Sequence, residues 1–128
     1  MKRDMDLVRK ILFAIEEQHE DTAIYDLKVD GYTDKEVAYH CKILYEAGFI
    51  SDYDARFASG ELYFFGVGSV TWDGCEFLDK IREDTVWNKT KAVVIEKGLP
   101  MVLDVIKDVS SAVIASMTEG AIRAIKNG

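Results

Sequence analysis

Between Tyr32 and Ile50 the chain reads "YTDKEVAYHCKILYEAGFI", a stretch that permits little besides a capped helix followed by a sharp stop. The Thr33 hydroxyl can accept a backbone N–H three residues on while Glu36 reaches back to the Thr33 N–H, the reciprocal arrangement of a capping box. At about 100° per residue, Val37, Cys41 and Leu44 then fall on one face with Gly48 beneath them. Lys35, Ala38, Tyr39, Lys42 and Glu46 point the other way. The helix is expected from Thr33 to Ala47, ending at a glycine that suits a left-handed position.

The flanking segments divide by period. Asp4 to about Gln18 carries Leu7, Val8, Ile11, Ala14 and Ile15 at helical spacing, widened by Leu12 and Phe13. A short β-favouring run, Ala23 to Leu27, precedes an Asp30-Gly31 turn. After Gly48, "FISDYDARF" alternates, with Phe49, Ser51, Tyr53, Ala55 and Phe57 on one side and Ile50, Asp52, Asp54 and Arg56 on the other. "ASGE" is a turn and "LYFFGVGSVT" a returning strand, in which Gly66 and Gly68 suggest a bulge or a close approach. Thr71 can cap a further helix with Phe77, Leu78 and Ile81 buried. Another helix is expected over Val86 to Lys97, stopping at Gly98. Pro100 suits the first turn of a last long helix to about Met117, followed by a short final segment, "TEGAIRAIKNG".

The order helix, short strand, helix, two-stranded hairpin, helix is that of an α+β winged helix with added C-terminal helices. Residues 1–84 form the expected winged-helix core and 85–128 a helical extension, packed on the core or forming a dimer interface, within one structural domain. A standard helix-turn-helix places a short helix before the recognition helix. Here the capping box leaves room for one only in the acidic loop after Gln18, unless it is absent.

Two blocks sharpen the resemblance. "HCKILYEAGFI" resembles the "HLxxLxxAGLI" end of the recognition helix in many winged-helix regulators, and "SVTWDGCEFL" resembles the "xLTxxGxxxL" segment by which the wing enters the following helix. With the opening "MKRDMDLVRKIL" and "VTWDGCEFLDKIREDTVWNKTK", nearly the whole chain resembles an uncharacterised family of small phage and prophage-associated proteins, a domain of unknown function. The resemblance implies a winged-helix-like bacterial or phage protein and brings no catalytic or ligand-binding residues with it.

Charge bears on what such a fold can hold. The net charge of −7 is uneven: residues 1–84 carry ten Lys or Arg against nineteen Asp or Glu, and residues 85–128 six against four. An acidic surface repels phosphate unless its cations gather on one face. The candidate DNA contacts are Lys35, Tyr39, Lys42 and Arg56, with Lys2, Arg3, Arg9 and Lys10 as candidate phosphate anchors. Against them, residues 33–61 hold three cations and six carboxylates, and the turn tip has no Lys or Arg. Two functions stay open: a DNA-binding regulator, or an acidic interaction module that binds a host or phage protein.

Other chemistry finds few parts. Cys41 and Cys75 lack CxxC spacing and read as reduced core residues. His40 reads as a hydrogen-bonded structural residue and His19 lies near the end of the first helix. No metal, no cofactor and no catalysis is expected. Trp72 and Trp87 read as core residues at helix starts. The last helix is apolar over about half its circumference. It offers Val102, Val105, Val109, Val113 and Met117 to the first helix or to a second copy. Charged residues where a signal peptide has its apolar region, and no apolar run of membrane length, point to a cytoplasmic protein without a membrane partner.

Overall fold

Asp4 starts the first helix: its carboxylate accepts the N–H groups of Asp6 at 2.9 Å and Leu7 at 3.3 Å. In the computed structural model, which describes residues 1–127, helix α1 runs Met5–Gln18 and buries Leu7, Val8, Ile11, Leu12 and Ile15. Strand β1 is only Ile24–Tyr25. It is followed by a turn through Gly31 at φ +86°, with no helix before the capping box.

The capping box forms as expected. Thr33 Oγ1 accepts the Glu36 N–H at 3.1 Å and the Glu36 carboxylate accepts the Thr33 N–H at 3.0 Å. Helix α2 is Asp34–Glu46, capped by Ala47, with the chain leaving through Gly48 at φ +78°. Replacing Thr33 by Ala removes the box, and we expect a loss of about 1 kcal/mol. A lowered urea midpoint at unchanged slope checks it.

Strands β2 (Tyr53–Ala58) and β3 (Glu61–Val67) form the hairpin. Ser59 and Gly60 both take positive φ, +52° and +79°, the two-residue turn whose twist matches paired strands. β3 is central: the antiparallel order is β1-β3-β2. Helix α3 (Trp72–Lys80) follows. This is an α+β, winged-helix-like arrangement in which the short helix before the recognition helix is missing.

Several expectations need correction. Phe49 and Ile50 belong to neither face of β2. They lie before it and both are buried, Phe49 stacked on Phe77 at 5.2 Å and Ile50 bridged to Val70. A register shift between Arg56 and Phe57 breaks the alternation, leaving Phe57 64% exposed. Ala38 is buried, because α2 packs against α1 on one side and the hairpin on another. Trp72 is 78% exposed, since it sits about 200° around α3 from Gly74, which is on the buried face. Trp87 is buried as expected.

The chain forms two compact units, Met1–Leu78 and a second beginning at Asp79. The second contains α4 (Asp84–Glu96) and α5 (Leu103–Asn127), joined through Gly98 at φ +65°. Pro100 lies before α5 rather than in its first turn. The helix also continues ten residues past Met117, because "TEGAIRAIKN" contains good helix formers and an Arg123–Glu119 pair at 2.9 Å on successive turns.

Candidate functional site: the outer face of α2 and the hairpin

The two sequence blocks that resemble winged-helix regulators meet at one junction. The Thr71 N–H donates to the Phe49 carbonyl at 2.9 Å, and its hydroxyl donates to the Gly48 carbonyl at 2.5 Å. The same hydroxyl oxygen accepts the Gly74 N–H at 3.2 Å, so Thr71 caps α3 while tying it to the end of α2. Gly74 permits that contact, because a Cβ there would collide with the Phe49 carbonyl oxygen and stand 2.7 Å from Val70 Cγ1. Both blocks therefore encode how α2 is held, and neither requires a ligand.

The inner side of α2 is fixed by His40. Its Nε2 accepts the Asp4 N–H at 2.8 Å, which places the ring proton on Nδ1, facing the Glu36 carbonyl at 2.8 Å. The Tyr32 hydroxyl donates to the other Asp4 carboxylate oxygen at 3.3 Å. Burial, and then the Asp4 carboxylate, push the Tyr32 phenol above its ordinary range. The start of α1, the turn before α2 and α2 itself are thus one hydrogen-bonded unit. No group of three or more His, Cys, Asp or Glu among the described residues could hold a metal ion.

The outer side of α2 faces a groove of about 300 Å³. Lys35, Tyr39 and Lys42 line it from the helix, Tyr53, Phe57 and Leu62 from the hairpin, and Met1 from the chain terminus. Its walls are largely apolar and its cations come from α2. Lys35 is held by Glu61 of β3 at 3.0 Å, both groups well exposed. Such a pair is worth about 0–1 kcal/mol, so an incoming anion can displace Glu61 at little cost. Lys42 is exposed, and the Tyr53 phenol is pushed up by burial first, then by Cys41 and Asp54.

Of the eight residues proposed for DNA, the groove gathers Lys35, Tyr39 and Lys42. Arg56 lies outside it and pairs with Asp54 at 3.4 Å. Arg9 lies over the Phe13 ring at 4.9 Å and Lys10 over the Tyr32 ring at 5.4 Å, both on α1. Lys2 and Arg3 are exposed and follow Met1 directly, which brings the chain terminus to the groove. Met1, Tyr53, Phe57, Leu62 and the Glu61 partner were not foreseen. The turn that forms the hairpin is legible in the sequence, but the register shift between Arg56 and Phe57, which brings Phe57 and Leu62 to the groove, is not.

A second concavity of about 430 Å³ lies along α4 and α5, lined by Lys89, Val93, Asp108, Val109, Ala112, Val113, Ser116 and Met117. Of the residues proposed for an oligomer interface, Val109, Val113 and Met117 line it. Val102 is exposed just before α5 and Val105 is half-buried. No helix among the described residues is long and apolar enough to cross a membrane.

Fold and groove together define a winged-helix-like protein with an open, cation-edged cleft between its second helix and its wing. The chain belongs to the family described as Hypothetical protein (DUF2513), which matches residues 2–100. It is similar to an uncharacterized protein of Haemophilus influenzae, 43% identical over 120 residues, covering 91% of this chain and 98% of that protein. No solved structure matches the chain.

Proposed function

We propose that this chain is a winged-helix DNA-binding regulatory protein of phage or prophage type, acting in the cytoplasm. The phage assignment rests on the sequence blocks alone. The observation that carries DNA binding is the convergence of Lys35, Tyr39 and Lys42 with Met1 at one groove, the exposed Lys2 and Arg3 following Met1 in the chain. Lysines and a tyrosine hydroxyl at such a face suit phosphate and base-edge contacts. Arg9 and Lys10 on α1, and Arg56 on β2, lie outside the groove and serve at most as outlying phosphate contacts. His40 and Cys41 are used in the packing of α2, which suits a binding protein rather than a catalyst.

A second reading has its own support. The groove's hairpin wall is apolar and Glu61 already occupies Lys35, so a protein segment of the host or phage could fill it in place of DNA. Titrating the protein against fragments of its source genome at rising salt decides between them. A regulator gives a log affinity falling linearly with log salt, at about −0.9 per neutralised phosphate. Lys42→Ala should weaken binding and reduce that slope by about 1. No binding at low salt would end the DNA reading.

A further inference from the structure

Helix α5 and the residue before it present a strip that complements itself. Val102, Val105, Val109, Ala112, Ser116 and Gly120 fall within about 80° of arc at 100° per residue, and four of them, Val102, Ala112, Ser116 and Gly120, are exposed. The strip borders the 430 Å³ concavity beside α4. Gly120 is the least expected member. A glycine inside a helix lowers helix stability, and here a Cβ would meet nothing within 4 Å, so no contact within the chain requires its absence. The glycine leaves room there for the close approach of another backbone.

The charges on one edge of the strip say what approaches. The N-terminal half of α5 carries Asp104 and Asp108, with Lys107 on the far side of the helix from Ser116, and the C-terminal half carries Glu119, Arg123 and Lys126, net charges of −1 and +1. A parallel neighbour of the same sequence would set carboxylate beside carboxylate. An antiparallel one sets each half of net charge −1 against a half of net charge +1. With a two-fold axis between Ala115 and Ser116, Asp108 of one copy stands level with Arg123 of the other, and Asp104 is within a turn of Lys126. Arg123 holds Glu119 within its own chain at 2.9 Å through one nitrogen, and both groups are exposed.

We infer that two copies of this chain associate through an antiparallel, two-fold contact between their α5 helices, centred on Ser116, with Ala112, Ser116 and Gly120 letting the helices approach closely. The partner is a second copy because the strip matches itself in both shape and charge, and an isologous contact needs only one such patch.

Sedimentation equilibrium on the full chain is expected to give twice the 14.5 kDa chain mass. Placed almost on the axis, Ser116→Cys in a Cys75→Ser background should oxidise to a covalent dimer, whereas Ile125→Cys, exposed on the opposite side of α5, should not. Asp108→Arg should raise the dimer dissociation constant about tenfold, and adding Arg123→Asp should restore it. Circular dichroism confirms that each variant keeps its helices. A chain that sediments as a monomer at every concentration, or a dimer that Ser116→Cys does not cross-link, overturns the inference. Cross-linking with an affinity indifferent to both charge reversals overturns the antiparallel register.

Discussion

Gly74→Ala should be the most damaging single-methyl substitution in the first unit, lowering stability by about 2–4 kcal/mol. Adding a methylene to a packed core commonly costs about 1–3 kcal/mol, because side chains can move aside. Here the obstacle is the Phe49 carbonyl, a backbone atom that Thr71 already holds at 2.9 Å, with Val70 Cγ1 behind it at 2.7 Å. Relief requires α3 to back away, which also weakens the Thr71 cap, worth about 1 kcal/mol more. A domain stable by about 5–15 kcal/mol loses a large share of that. Trp72→Ala, two residues earlier on the same helix and 78% exposed before mutation, should change the urea midpoint very little. Equal effects from the two substitutions would show that Gly74 is not held against Phe49.

That junction also explains what could be read from the sequence. The capping box at Thr33 and Glu36, the stop at Gly48 and the cap at Thr71 are local: the interacting groups lie within a few residues, so their spacing reveals them. The stripe of α1 and the two-residue turn at Ser59-Gly60 are legible for the same reason. The inner and outer faces of α2 were only partly legible. Helical period separates Cys41 from Lys42, but Ala38 is buried by the hairpin, an element twenty residues on. The groove was half visible. Lys35, Tyr39 and Lys42 follow from the helix alone, whereas Phe57 and Leu62 reach it through a register shift that the alternating pattern conceals. Charge counting over residues 33–61 gives the total but not the pairing, which places Asp54 on Arg56 and Glu61 on the groove residue Lys35.

Above about pH 9 the protein should lose stability steeply, and Cys41 should be the largest single cause. Its thiol is fully buried against the inner side of α2, and burial pushes it up to about 12 from an ordinary value of 9.0. Between those values the unfolded chain releases the proton and the folded chain keeps it. The folded state then binds more protons, so stability is intact below about pH 9 and falls as pH rises. The slope is about 1.4 kcal/mol per pH unit for one group, or about 4 kcal/mol by pH 12. The Tyr53 and Tyr32 phenols are also raised, so they add losses of the same sign at higher pH. Urea titrations from pH 7 to 11 should show the decline. Cys41→Ala should cost some packing at pH 7 yet flatten the curve by about one proton above pH 9. Thiol labelling separates the two cysteines: half-buried Cys75 should react in the folded protein, while Cys41 should react only as fast as the chain unfolds. A stability curve that stays flat to pH 11, or prompt labelling of Cys41 in the native state, would mean that α2 is not packed as tightly as its buried thiol requires.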